Sequence, residues 1–569
     1  MTAMVRLIDR EETASAIRRI QDLVITSMGP NGRFKVLQTK AGGYAMTTTT
    51  SSKLFDFYSS SNAATQILLS GIKSHLHVFQ NGGLFLASLC TSLFLGHFGS
   101  QLPQNLCVLA NNFVLDKIKD WIVKQEVVHK LDLGKLNDMM MVVRSILMSK
   151  SVCQLSEKEA NHISLNILTA FFKSTNANGR KFNDGGISLI LNEGPSVMDS
   201  VVIPGIVIRL PPMDAVGERL LSSLDGLVKT VVFGTSLAGD QSIIDETILM
   251  TKENESFVDD VTYDQLLSLG GSIVANGVRL LFCQKVVHPS LRRYLENRGV
   301  LVIERLGYQA TKTLCNFAQM NPVEGQFDQI SESNIVNMQE IDVKQYFGKR
   351  YIIVRPGGEN VVHTMMLCGR DENSLEELKT TIHSVEKSLF HLIDDPRVLC
   401  GGGCFEAQVA SFVCDLVGKG FTREEKMKYK LLEKLDQENW KQALYSIAKS
   451  FERVANSIHK INGDCYTDSI FGHLWCFPAS TEPSSVVDED YCCCCGSVNY
   501  CSELKFESLN FDRRFPSAGN EHGKDVKTDH LATCFPQIVD SLFLRKECIA
   551  SAFELCNIIL RVGITLEQQ

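Results

Sequence analysis

The stretch from Arg279 to Leu306, RLLFCQKVVHPSLRRYLENRGVLVIERL, constrains the fold of this chain more than any other. An apolar, β-branched run ending at Val287 reads as a strand, and Pro289 and Ser290 open a helix on which Leu291 and Leu295 share a face. Gly299 stops that helix and a second strand begins at Val300. A strand–helix–strand unit of this length implies parallel strands joined by a right-handed crossover. Two similar runs precede it, SVVIPGIVIRL from Ser200 and KTVVFGTSL from Lys229, so the middle of the chain is predicted to be an α/β layer.

Both flanks carry helical spacing instead. Ala14, Ile17, Ile20, Leu23, Val24 and Met28 predict a helix over about residues 9–28, ended by Gly29 and Pro30. KVLQTKAGGYAMTTTTSS predicts two short strands around a Gly42-Gly43 turn. Helices are predicted over Ala63–Phe79, Leu84–Gly96 and Asn105–Lys124, and the chain stays mostly helical to about residue 145. Helical character resumes near Ser374 and lasts to the end, closing with LFLRKECIASAFELCNIILRVG.

One interruption, about residues 477–535, is rich in Ser, Cys, Asp, Asn, Gly and Pro and reads as a long polar insertion. It holds Cys492, Cys493, Cys494 and Cys495, with Cys501 beyond. Zinc ligands are usually spaced so that the chain can turn round the ion, and four adjacent cysteines cannot easily converge on one tetrahedron. A mobile cysteine-rich loop is expected there, and no metal.

At 569 residues the chain exceeds what one core serves, so three or four domains are expected. A net charge of −8 argues against nucleic acid or an anionic membrane as the main partner. No segment reaches the ~20 uninterrupted apolar residues of a membrane span. The start, MTAMVRLIDREE, lacks the layout of a secretory signal, so a cytosolic protein with reduced thiols is expected.

Several motifs, in order, resemble those of the group II chaperonins, the thermosome and the eukaryotic cytosolic ring chaperonin. SMGPNGRFKVL resembles their first nucleotide loop, usually LGPxGxDK. AMTTTTSSKLF falls where they have TNDGATIL, and FQNGGLFLASL where they have VGDGTTSV. CQKVVHPSLRRYL resembles their apical strand and helix. SLEELKTTIHSVEKSLFHLIDDPRVLCGGGCFE resembles the segment carrying ERSxxDAL and VVPGGGxxE. CQKVVHPSL, RGVLVIERLG and LIDDPRVLCGGGC together resemble one divergent vertebrate branch, linked to McKusick-Kaufman and Bardet-Biedl syndromes.

The resemblance implies a multidomain α+β chaperonin fold with a helical equatorial domain, a small intermediate domain and an α/β apical domain. In chain order these are equatorial 1–145, intermediate 146–200, apical 201–366, intermediate 367–400 and equatorial 401–569. It also makes Gly29, Pro30, Gly32, Lys35, Gly82, Gly83, Gly401, Gly402 and Gly403 residues of vestigial nucleotide loops. On the apical helix, Arg292, Arg293 and Tyr294 are the candidate partner contacts. Leu291 and Leu295 are expected in the core, and His288 as a turn residue.

ATP hydrolysis needs magnesium, held by oxygen ligands that usually include a carboxylate, and a group that positions water. The family supplies three aspartates for this. Carried over position by position, they fall on Thr49, Gly82 and Lys387, and the threonines of GDGTT fall on Leu84 and Phe85. Glu386 is turned off the site by about 100° of helix, and Asp394 and Asp395 fit the turn after the helix. The expectation is a chaperonin-like assembly factor, not an enzyme, with no cofactor. The resemblance implies partners among other chaperonin-like chains, the cytosolic ring chaperonin and subunits of the Bardet-Biedl ciliary trafficking complex. It implies a cytosolic or centrosomal location. The long insertion in the equatorial domain would hinder a symmetric homo-ring. The alternatives are an active ATP-dependent folding subunit and a nucleotide-gated scaffold without hydrolysis.

Overall fold

The computed structural model describes residues 3–7, 9–38, 45–124, 128–174, 187–238, 252–325, 330–356, 363–417, 419, 421–429, 436–459 and 538–568. The chain divides into two compact units, Met1–Ser164 with Asp371–Gln569, and Leu165–Arg370.

The first unit opens with strand β1 (Ala3–Leu7) and helix α1 (Arg10–Ile25), whose Asp9 cap accepts from the N–H groups of Glu11 and Glu12. Then come β2 (Lys35–Leu37), β3 (Met46–Thr48), α2 (Ser51–Phe57) and α3 (Ala63–Phe79), the last capped by Asn62. Next follow α4 (Gly83–Ser100), α5 (Gln104–Lys124), β4 (His129–Lys130) and α6 (Leu136–Met148), and the division at Ser164 falls within α7 (Glu157–Lys173). β2 and β3 pair antiparallel as the spacing predicts, while the Gly42-Gly43 turn lies outside the described residues.

The second unit holds β5 (Ser188–Glu193), β6 (Val201–Pro204), β7 (Ile206–Arg209), α8 (Ala215–Ser222), β8 (Val228–Phe233) and α9 (Lys252–Ala275). It continues with β9 (Leu280–Cys283), α10 (Pro289–Glu296), β10 (Leu301–Ile303), α11 (Gly307–Ala318), β11 (Ile335–Tyr346), β12 (Lys349–Pro356) and β13 (His363–Gly369). Six strands form one sheet in the order β10-β9-β8-β11-β12-β7, with β8, β9 and β10 parallel. β5, β13 and β6 form another. SVVIPGIVIRL is therefore two strands in two sheets, broken at Gly205, whose φ of 108° a side chain would strain.

The strand–helix–strand unit is present, with Leu301 of β10 opposite Leu280 of β9. Its first strand stops at Cys283, short of Val287. Past that point Lys285 accepts from the Arg305 N–H, and Val287 N–H is taken by the Glu304 carboxylate. Leu291 and Leu295 are buried with Leu266, Leu269 and Ile273 of α9.

The chain then returns to the first unit through α12 (Glu372–Asp394), β14 (Arg397–Cys400), α13 (Cys404–Val417), α14 (Arg423–Lys428) and α15 (Gln437–His459). β15 (Val539–Ser541), α16 (Leu542–Arg561) and β16 (Ile564–Gln568) complete it. The helical ending expected from the sequence needs correction. β16 pairs antiparallel with β1, Leu7 opposite Ile564, and β14 lies between β15 and β4. Strands of two to five residues are too short for period-two alternation to stand out. The insertion at 477–535, with Cys492–Cys495 and Cys501, lies outside the described residues.

α4 runs through the main core, with Leu86, Leu89, Cys90 and Leu93 fully buried among side chains of α1, α15 and α16. It is the one described helix long and apolar enough to cross a membrane, and 67% of it is buried in the protein.

Candidate functional site

The loop after α1 is built for its own turn. Gly29 has φ 75°, and a Cβ there would lie 2.6 Å from the Ile458 carbonyl oxygen. At Gly32 a Cβ would lie 2.5 Å from the Ser27 carbonyl oxygen. Both positions thus require glycine on steric grounds, whatever they bind. Lys35 donates to the carbonyls of Thr26 (3.3 Å) and Arg33 (3.0 Å), inside the same turn. Burial, helped by the nearby Arg33, pulls its pKa below the usual lysine range.

The second loop, Gln80 to Gly83, is held by α12. Ser384 Oγ donates to the Gln80 carbonyl at 2.8 Å, and Asn81 Oδ1 accepts from Gly82 N–H at 2.8 Å. Gly82 starts α4 at φ 79°, and a Cβ there would lie 2.5 Å from Cys548 Sγ. That sulfur sits 3.3 Å from His75 Nε2. Burial pushes the Cys548 thiol up to about 12, so it is a packed thiol and no nucleophile. The sulfur fills the space that an aspartate at Gly82 would need.

Phe85 is buried beneath Arg545, whose guanidinium lies 3.9 Å from the ring centroid. Arg545 also pairs with Asp540 and, at 3.4 Å, with Glu406 of the GGGCFE motif. Gly401 N–H donates to the Ile538 carbonyl at 2.9 Å, and Gly402 and Gly403 adopt φ of 66° and 88°. Glu406 is fully buried, and that burial raises its pKa against the pull of Arg545. Arg545→Met is expected to cost about 3–5 kcal/mol at pH 7, because it strands a buried carboxylate. The cost should shrink as pH falls, since a raised glutamate takes up a proton more readily folded than unfolded. Urea unfolding at pH 7 and pH 5 checks both points.

The strongest feature was not legible as a site. Glu377 of α12 is fully buried, and its carboxylate collects the threonine tract. Oε1 accepts from Thr49 N–H (2.9 Å), Thr49 Oγ1 (3.3 Å) and Thr50 Oγ1 (2.7 Å). Oε2 accepts from Thr48 Oγ1 (2.8 Å) and Lys53 Nζ (3.3 Å). Burial alone would raise the Glu377 pKa, but these donors outweigh it and hold the group below the usual carboxylate range. The carboxylate is therefore ionised and saturated. The available signal was a glutamate at helical spacing with Leu378, Thr381 and Val385, on a face that a charge should avoid.

Magnesium does not fit this donor set. The Glu377 lone pairs face hydroxyls, an amide and an ammonium, and the ammonium would repel the ion. Among the described residues no group of three His, Cys, Asp or Glu side chains is placed to hold a metal.

The register given for α12 needs one correction. Set on Glu386, Lys387 and Ser388, the ERSxxDAL motif puts its aspartate at His391 and not at Lys387. The His391 ring lies against Phe79 and Phe543, and burial, with nearby Lys387, lowers its pKa. Neither residue supplies a carboxylate. Glu386 is buried on α12, while Asp395 forms the turn, bonded to Arg397 at 2.6 and 2.8 Å.

In the second unit, α10 offers less free surface than the sequence suggested. Arg292 is committed to Glu296 (2.8 Å) and Glu304 (3.4 Å). Tyr294 is half-buried beneath Arg298, whose guanidinium lies 3.6 Å from the ring centroid. Arg293 alone of the three is exposed. His288 caps the helix, its Nδ1 accepting from Ser290 N–H at 3.2 Å.

Comparison with known proteins places this architecture. The model of the TCP-1/cpn60 chaperonin family matches residues 20–461. The human protein named Molecular chaperone MKKS is 28% identical over 568 residues, covering 98% of this chain and 96% of that protein. The mouse protein of the same name is 28% identical with the same coverage. A thermosome subunit of Methanopyrus kandleri is 19% identical over 418 residues, covering 72% of this chain and 74% of its own. The helix-rich, several-sheeted structure is the multidomain α+β chaperonin fold, and the chain belongs to the TCP-1/cpn60 chaperonin family.

Proposed function

We propose that this chain is a molecular chaperone that holds client proteins and other chaperonin-like subunits without hydrolysing ATP. The observation that carries the reading is the Glu377 cluster. The only carboxylate brought to the Thr49 position by the described residues already has all its acceptor sites taken. Cys548 beneath Gly82 adds a second obstacle. Near full-length similarity to proteins named Molecular chaperone MKKS supports the chaperone role.

In the same reading the chain assists assembly of the Bardet-Biedl ciliary trafficking complex, alongside other chaperonin-like chains and the cytosolic ring chaperonin. It acts in the cytoplasm and at the centrosome or ciliary base. The equatorial, intermediate and apical divisions given above belong to this proposal, with Arg293 as a contact for acidic partners.

Purified full-length chain with magnesium and ATP tests the proposal. No phosphate release above blank and no nucleotide-dependent rise in Tm are expected. A rise in Tm without release would favour a nucleotide-gated scaffold. Pull-down from ciliated cells, followed by sedimentation, should recover chaperonin-like chains and ciliary subunits in a small hetero-complex. A homo-ring that hydrolyses ATP would overturn the reading.

A further inference from the structure

In the second unit, β11 outruns the strand beside it. Its first residues pair with β8, from Ile335 opposite Val231 to Met338 opposite Val228. Beyond a bulge between Met338 and Glu340 it pairs only with β12, from Glu340 opposite Arg355 to Tyr346 opposite Lys349. Among the described residues no strand pairs with the other edge of residues 340–346.

The turn at the end of β11 fixes which backbone groups face that edge. Phe347 and Gly348 form a two-residue turn with φ of 49° and 74°, so Tyr346 and Lys349 are a hydrogen-bonded pair. Bonding alternates from there, which directs the N–H and C=O groups of Ile341, Val343 and Gln345 away from β12. Val343, 40% exposed, is the middle residue of this row. Asp342 and Lys344 flank it, with their side chains on the opposite face of the sheet. Asp342 meets Arg355 through Oδ2 at 3.3 Å. Lys344 is exposed and has no ion-pair partner among the described residues.

We propose that this edge pairs with the same edge of a second copy of the chain, antiparallel about a two-fold axis through Val343. Outward-facing residues must meet outward-facing residues, so the axis passes through a residue and not between two. Centred on Val343, it sets Asp342 of each copy opposite Lys344 of the other, and the two Val343 side chains adjoin. Moving the axis by one residue sets Asp342 against Asp342 or Lys344 against Lys344, and like charges directly opposite are unfavourable. The charges that discourage other pairings at an open edge therefore select this one. Such a contact is self-complementary and closes at two copies, so it needs no ring. It goes beyond the proposed chaperone role and involves no nucleotide.

Sedimentation equilibrium of the full chain without nucleotide tests this. The chain should pass from monomer to dimer over about 1–100 μM, as a small interface allows. Lys344→Asp and Asp342→Lys each create two like-charge pairs across the axis, and each should weaken self-association by about tenfold or more. An equimolar mixture of the two variants restores opposite charges and should form a one-to-one heterodimer. Should Asp342→Lys fail to fold, Val343→Pro is the second variant. It removes only an outward N–H, which an edge strand tolerates, and should leave a folded monomer. A wild-type chain that stays monomeric, Lys344→Asp or Val343→Pro as dimeric as wild type, or mixed charge variants that do not associate would overturn the proposal.

Discussion

Replacing Glu377 by alanine should lower the stability of the first unit by about 3–5 kcal/mol. Three threonine hydroxyls, the Thr49 N–H and Lys53 lose one shared partner at once. Thr48, Thr49 and Thr50 are buried, so water cannot readily replace it. A Tm lower by about 5 °C is expected, since a unit of this size shifts by little more than about 1 °C per kcal/mol. Thr47→Ala is the control, since Thr47 adjoins the cluster without bonding to Glu377, and it should change stability by less than about 0.5 kcal/mol. If Glu377→Ala melted within 2 °C of the unmodified chain, the cluster would be no determinant of stability. The pH dependence has a definite sign. Glu377 titrates lower folded than unfolded, so its stabilisation is complete above the unfolded glutamate value of about 4.3. It is lost as pH falls through that value towards the folded one. Glu377→Gln should show a flatter stability profile across the same window.

Gly82→Asp should damage the protein without giving it ATP hydrolysis. The new Cβ would meet Cys548 Sγ at 2.5 Å, in a backbone region unfavourable for side chains, and a carboxylate would enter a packed interior. Together these should cost about 3–5 kcal/mol. Cys548→Gly in the same chain removes the sulfur and should recover part of the loss, which separates the clash from the backbone strain. Differential scanning calorimetry and phosphate release measure the two outcomes. An aspartate variant as stable as its parent, or one that hydrolyses ATP, would show that the site had lost only a side chain. The space itself is reassigned, so restoring one residue is insufficient.

The two variants show where sequence reasoning stops. It located α3 at Ala63–Phe79 because its apolar positions keep helical spacing along a continuous segment. It identified the α10 core face because Leu291 and Leu295 are four residues apart. It did not find the partner of the threonine tract, because Glu377 is 327–329 residues away in the chain. Its place on the buried face of α12 sets Glu377 apart from neighbouring Glu376, but does not say which residues it meets. The choice between Lys387 and His391 is different in kind, since it turns on how the motif is set along one helix and packing does not enter it. Arg292 was offered as a partner contact because arginine favours interfaces, but Glu304 on another segment had already engaged it.

By itself the sequence determined the longer helices, the α/β layer between helical flanks, and the family, but not the short strands near the end of the chain. Periodicity, caps and turn glycines act over a few residues, and those interactions are written contiguously. Only the tertiary structure decided what each loop does. It turned Lys35 onto its own carbonyls, set Cys548 against Gly82 and saturated Glu377 with the tract at Thr48–Thr50. Such outcomes depend on which distant groups arrive within about 3 Å of one another. Chain order does not encode that distance; packing does.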